Sequence, residues 1–229
     1  MRDTPVNVDN RAPTSRGRCP TSIREASMSN YQAPLADIRF ALYQVLQAES
    51  VFLKLDFGDA TRDTIDAVLE ESARFNETVL APLNRIGDEI GCKFHQDDGT
   101  VTTPPGFREA YSQYVASGWP GLVSPTALGG QGLPHLVGVP VKEMINAANL
   151  SWGNFPLLSH GATEALLRYG DAWQQEVFLK RLVSGEWTGT MCLTEPHCGT
   201  DLGLLKTKAV PGSDGSYSIT GTKIFITAG

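Results

Sequence analysis

From Pro34 onward the hydrophobic positions recur with a helical period. Leu35, Ile38, Leu42 and Val45 stand at i, i+3, i+7 and i+10, one face of a 3.6-residue repeat. Ile65, Val68, Leu69, Ser72, Phe75 and Val79 continue that logic in a second helix after Gly58-Asp59. Thr103-Pro104-Pro105 reads as a helix start, a cap hydroxyl followed by proline in the first turn. The face of that helix is Phe107, Ala110, Tyr111 and Tyr114, and Gly118 stops it. Stretches 135–149 and 155–169 predict two more helices, separated by Ser151-Trp152-Gly153-Asn154. Gly170 ends the second of these, and a short helix follows over 172–183.

After Gly185 the pattern switches. Residues 188–194 are rich in β-formers and read as a strand. Residues 205–210 and 216–220 read as two more, joined by a turn containing Asp214-Gly215, and Lys223 to Thr227 as a fourth. The expected class is therefore α+β. An all-helical domain over 31–186, with no strand before Thr188, hands over to the start of an antiparallel β-domain over 187–229. Three or four short strands do not comfortably close a sheet with a buried face, so the chain reads as truncated.

Composition changes the picture at the N-terminus. Residues 1–27 hold five arginines against three acids and no apolar period, whereas the rest carries a net −8. Residues 1–30 are read as a disordered extension, and Met28 as the natural initiator. The whole chain has 229 residues and a net charge of −6, which argues against a nucleic-acid partner. No apolar run approaches the roughly 18 residues of a membrane span. The cysteines, Cys19, Cys92, Cys192 and Cys198, are too few for a disulfide scaffold and form no C-x-x-C pair. No metal site is expected from this spacing, and a cytoplasmic setting with reduced thiols fits best.

The most informative stretch is Met191-Cys-Leu-Thr-Glu-Pro-His-Cys-Gly-Thr-Asp201. A strand delivers Thr194 to a turn at Glu195-Pro196, and Gly199-Thr200 offers backbone N–H groups beside a hydroxyl. Such a turn can hold an anion or an acceptor-rich ring such as a flavin. A plain β-turn whose Thr and Asp satisfy local backbone fits the same residues.

T-E-P-H-C-G-T-D after a short apolar strand resembles the signature of the acyl-CoA dehydrogenases. Ile219 to Lys223, followed by Phe225-Ile-Thr-Ala-Gly229, resembles that family's hairpin and its following flavin-side strand. Gly129-Gly-Gln-Gly132 resembles its glycine loop, and Tyr31 to Asp37 with Phe40 the opening of a longer-chain branch that includes 3-methylmercaptopropionyl-CoA dehydrogenases. The resemblance covers 31–229 and implies a C-terminal helical bundle that this sequence lacks.

It also implies FAD as cofactor, an acyl-CoA substrate, an electron-transfer acceptor and a homo-oligomer when complete. Met191, Cys192, Leu193 and Thr194 match the segment lining the flavin ring, with the Thr194 hydroxyl on its polar side. Gly199 and Thr200 match positions reaching the pyrophosphate, Thr200 also the substrate's phosphopantetheine end. Phe225, Ile226 and Thr227 match the strand against the ring's other edge. Thr200 replaces a common Ser, Phe225 a common Trp, and His197-Cys198 small residues.

The implied chemistry is α,β-dehydrogenation: a carboxylate takes the α-proton and hydride passes to flavin N5. That carboxylate is expected beyond residue 229, so no catalytic residue is assigned, the fragment alone is expected to be inactive, and Glu195 is read as structural. An acyl-CoA oxidase and a non-catalytic product of a truncated gene are the alternative readings. Trp119, Trp152, Trp173 and Trp187 read as packing, and His160 as a satisfied structural histidine.

Overall fold

The computed structural model describes residues 31–227. Met28, the extension over 1–30 and Ala228-Gly229 lie outside the described residues. Helices build most of what precedes Thr188.

Helix α1 (Leu35–Arg39) runs directly into a π turn over Phe40–Val45. The wider turn breaks the 3.6-residue period. Ile38 and Leu42 remain buried as expected, but Val45 is rotated off the face and 63% exposed. After α2 (Ala48–Lys54), helix α3 (Arg62–Phe75) starts at Thr61, whose hydroxyl accepts from Thr64 N at 3.3 Å. A π turn over Asn76–Leu80 carries it into α4 (Ala81–Ile90). Its predicted face holds: Ile65, Leu69, Ser72 and Phe75 are buried.

A small hairpin interrupts the helical region. Strands β1 (Lys93–Phe94) and β2 (Val101–Thr102) pair antiparallel, so the expectation of no strand before Thr188 fails locally. Each has only two residues, and all four are exposed. With no apolar alternation to mark it, the hairpin left no trace in the hydrophobic pattern.

Helix α5 (Phe107–Ala116) begins later than expected. Thr103 does not cap it; Gly106, at φ 84°, does, and Phe107 N reaches Pro104 O at 3.2 Å. Its face is correct, with Ala110 and Tyr114 buried. The segment Gly129 to Gly132 then folds back on the preceding loop, with Gly132 N on Ser124 O and Gln131 N on Gly121 O, both at 2.9 Å. A Cβ on Gly130 would lie 2.1 Å from Ser124 O, so this glycine serves the loop's own packing.

Residues His135–Tyr169 form α6, helical throughout except at Asn149 (φ −159°, ψ 89°). The break thus falls two residues before the predicted one. Asn149 Oδ1 accepts from Trp152 N and Ser151 Oγ at 3.1 and 2.9 Å, starting the second arm as an N-cap does. Its Nδ2 donates to Leu80 O at 3.2 Å. The two arms fold back on each other: His135 Nε2 and Glu164 Oε1 are 3.7 Å apart, where a straight helix would separate them by about 43 Å. Helix α7 (Ala172–Gln174), a π turn (Gln175–Leu179) and α8 (Lys180–Ser184) complete the helical part, opened by an Asp171–Gln174 capping box.

Two buried clusters hold these helices. Ile38, Leu42, Phe52, Ile65 and Leu69 pack with Val137 and Met144 from the first arm of α6. Phe75, Leu80, Tyr114 and Trp119 pack with Val141, Ile145 and Trp152. Trp119 and Trp152 are core residues as expected, but Trp173 is 66% exposed, standing edge-on to Phe178.

Beyond Gly185, β3 (Lys208–Pro211) and β4 (Tyr217–Thr220) form an antiparallel hairpin. Residues 188–194 and 223–227 are not strands. They lie side by side, joined by Ile224 N on Thr194 O at 3.0 Å and by the Thr190 hydroxyl on Thr227 O, without a regular ladder. Phe225 interrupts the second segment at φ 55°, a conformation costly for a bulky residue. No described helix is long and apolar enough to cross a membrane.

Candidate functional site

The turn Thr194 to Asp201 is fastened by Glu195, whose side chain is 2% exposed. Glu195 and Cys198 exchange backbone hydrogen bonds at 2.9 and 3.1 Å, closing the turn. The Glu195 carboxylate accepts from Lys206 N at 2.8 Å, Thr207 N at 3.0 Å, Thr207 Oγ1 at 2.6 Å and Lys223 Nζ at 2.9 Å. Lys223 Nζ also donates to Leu193 O at 2.9 Å. One buried carboxylate therefore ties the turn to the stretch before β3 and to the segment after β4.

Lys223, with the Thr207 hydroxyl and the Lys206 N–H, holds the Glu195 carboxyl far below the usual carboxylate range. A group whose folded pKa is depressed contributes stability that is full above its unfolded value, about 4.3, and is lost as pH falls toward the folded value. The denaturation midpoint is accordingly expected to drop on acidification below about pH 5, and less steeply in Glu195→Gln, which cannot titrate there. Urea titrations across pH check this; equal acid slopes for the two proteins would refute it.

His197 and Cys198 join the same fastening. His197 Nε2 lies 2.9 Å from Leu204 O and 3.5 Å from Glu195 Oε2, and Cys198 is buried. Asp201 takes a local role, its carboxylate accepting from Gly203 N at 3.1 Å at the head of a 3₁₀ turn.

Around this knot the sequence-predicted residues present free polar groups. Among the described residues, the N–H groups of Met191, Cys192, Leu193 and Thr194 and the hydroxyls of Thr194, Thr200 and Thr227 have no hydrogen-bond partner. Met191 is 63% and Phe225 88% exposed, whereas Leu193, Thr194 and Ile226 are half-buried. Gly199 and Thr200 sit at the far side of the turn, exposed. The arrangement is a strip of donors beside an exposed aromatic, able to receive a planar, acceptor-rich group. Lys206, Thr207 and Lys223 were not singled out in the sequence, because nothing along the chain shows that three separate segments converge on Glu195.

The strip is pinned to the helical part at its start. Gly189 N donates to Ser159 Oγ at 3.1 Å, and a Cβ on Gly189 would meet Ala162 Cβ at 2.6 Å. Nearby, a cleft opens between α5, the two arms of α6 and α8, lined by Tyr111, Val141, Ile145, Leu157 and Leu182, with Lys142 and His160 on its polar side. Burial lowers the pKa of both Lys142 and His160, and the Lys142 charge lowers His160 further.

A family profile described as the N-terminal domain of acyl-CoA dehydrogenase matches residues 63–186. The 3-methylmercaptopropionyl-CoA dehydrogenase of Ruegeria pomeroyi is 43% identical over 199 residues, covering 87% of this chain and 34% of that protein. A butyryl-CoA dehydrogenase of Syntrophomonas wolfei is 35% identical over 87% of this chain and 33% of its own length. The structure of butyryl-CoA dehydrogenase from Megasphaera elsdenii superposes with a TM-score of 0.61 at 25% identity, covering 72% of this chain and 41% of that one. The chain thus spans about a third of the length of these curated relatives. Its helical order, its fastened T-E-P turn and these matches together show that the chain belongs to the acyl-CoA dehydrogenase family.

Proposed function

We propose that this chain forms the N-terminal part of an FAD-dependent acyl-CoA dehydrogenase acting on the α,β bond of an acyl thioester. The observation that carries the reading is the donor strip fastened by Glu195, whose free N–H groups, hydroxyls and aromatic face suit an isoalloxazine ring. Bound FAD would supply the acceptor for the hydride leaving the β-carbon.

The residues of the chain act by binding and orientation. Met191 to Thr194 hold one side of the ring, with the Thr194 hydroxyl donating to its polar edge. Phe225, Ile226 and Thr227 cover the other edge. Gly199 and Thr200 lie where a pyrophosphate or a phosphopantetheine amide would pass. The cleft beside the strip, apolar along Val141, Ile145 and Leu157, takes the acyl chain and excludes water from it.

We assign no carboxylate of the described residues as the base that takes the α-proton. Glu195 is fully engaged, and Glu164 faces His135 and Arg168 at 3.7 and 3.8 Å. In this reading the base comes from outside these residues, and the isolated 229-residue chain is expected to be inactive. We assign 31–186 as the helical unit and 187–229 as the β unit. An electron-transfer acceptor, a homo-oligomeric complete protein and a cytoplasmic setting belong to the same proposal. The free thiols Cys92, Cys192 and Cys198 suit a reducing compartment.

Thr227→Val tests the ring contacts. In a protein of the relatives' full length it removes one donor and is expected to weaken flavin binding by about 1–3 kcal/mol. Altered flavin absorbance or reduction potential is the readout, with Trp173→Phe, on the exposed face of α7, leaving both alone. Wild-type absorbance, potential and turnover in Thr227→Val would remove this residue from the site.

A further inference from the structure

We propose that His135, His160 and Glu164 form a binding site for an imidazole-preferring divalent ion of the zinc type, clipping together the two arms of α6. One ligand atom from each of the three lies within 4.8 Å of the others. His135 Nε2 and Glu164 Oε1 are already 3.7 Å apart, and the two imidazole rings have their centroids 6.0 Å apart. Ligands around a tetrahedral zinc at about 2.0–2.2 Å stand roughly 3.3–3.6 Å from one another, so small side-chain rotations complete the set.

The fold explains why these residues meet. His160 and Glu164 are spaced i, i+4, on one face of the second arm. The reversal at Asn149 brings His135, at the start of the first arm, against them. Nothing in the linear spacing of the three residues shows this, because the ligands come from opposite ends of a 35-residue element. Two imidazoles and a carboxylate leave a fourth position open for water or another ligand.

The surroundings select the kind of ion. Arg168 Nε lies 3.8 Å from Glu164 Oε2, and Lys142 also faces Glu164 and His160. Those charges oppose ions held mainly by electrostatics, such as magnesium and calcium. Zinc, cobalt and nickel, bonded through imidazole nitrogen, tolerate them better. The other group of potential ligands, Glu195, His197 and Cys198, is committed elsewhere, since Glu195 is held by Lys223 and Thr207.

The test is calorimetric titration of Zn²⁺ into the 229-residue chain, freed of any affinity tag, with Co²⁺ absorption and the thermal midpoint as second readouts. One equivalent of Zn²⁺ is expected to bind and raise the midpoint, while Mg²⁺ does neither. His135→Ala and Glu164→Gln should each weaken binding by at least about tenfold and abolish the midpoint rise. His135 is 62% exposed, so its loss leaves the fold intact, which circular dichroism verifies. His197→Ala and Cys92→Ser should bind as the parent does. Absence of saturable Zn²⁺ binding, binding that persists in His135→Ala and Glu164→Gln, or binding lost in His197→Ala overturns the proposal.

Discussion

Replacing Lys223 with methionine is expected to release the Met191–Thr194 strip and, if that strip holds the flavin as proposed, to lower FAD affinity by at least about tenfold. The ammonium of Lys223 is shared between Glu195 Oε1 and Leu193 O, both at 2.9 Å. Without it a buried carboxylate loses its cation, and the carbonyl beside Thr194 loses its donor. The penalty of leaving a buried charge unpaired exceeds the net value of the pair, so this single change acts on the whole turn. Amide exchange gives an independent readout. The N–H groups of Lys206 and Thr207, bonded to Glu195, should lose protection together with those of Glu195 and Cys198. Lys223→Arg, which keeps the charge, should retain most of that protection. Unchanged protection and FAD affinity in Lys223→Met would show that the Glu195 knot does not position the strip.

Trp152→Ala is expected to destabilise the helical part by about 3–5 kcal/mol, read as a shift in urea midpoint at constant slope. Trp152 is 3% exposed and meets Phe75 and Tyr114 edge-on, with ring centroids 6.2 and 5.4 Å away. Its indole N–H donates to Phe107 O at 3.3 Å, and its backbone N–H to Asn149 Oδ1. The change therefore opens a cavity among three helices and removes a tie between α5 and α6. Trp173→Phe, by contrast, should shift the midpoint little, because that ring is 66% exposed. A Trp152→Ala cost near that of Trp173→Phe would mean that this aromatic cluster does not hold α6 in place.

The periodic helices were legible in the sequence because burial leaves a 3.6-residue imprint on the chain. Ile65, Leu69, Ser72 and Phe75 show it directly. Where geometry departs from that period the reading slipped. The π turn at Phe40–Val45 rotated Val45 outward, and Gly106 displaced Thr103 as the start of α5. The reversal of α6 is written in one side chain, Asn149, which caps Trp152 N locally while its Nδ2 reaches Leu80 O, 69 residues away in the chain. Strand composition at 188–194 and 223–227 was real, but a strand also needs a ladder. Between these segments the main chains share one bond, from Ile224 to Thr194.

The candidate site divides in the same way. Its residue types were visible as a motif, because turns and free hydroxyls have local signatures. Its fastening was not, because Glu195 finds Thr207 and Lys223 across 12 and 28 residues of chain. His197 and Cys198, whose contribution the sequence left open, belong to that fastening. Gly130 is the converse case. Its motif was legible in the sequence, and the contact that requires it, with Ser124, lies only six residues back in the chain.

The structure of the protein with FAD bound tests the proposed site most directly. The isoalloxazine ring should lie along Met191 to Thr194 with Phe225 beside it, and the Thr194 and Thr227 hydroxyls within hydrogen-bond distance of its polar edge. A ring seated instead in the cleft between α5 and α6, or one that leaves both hydroxyls without contact, would contradict the assignment of this strip as the flavin site.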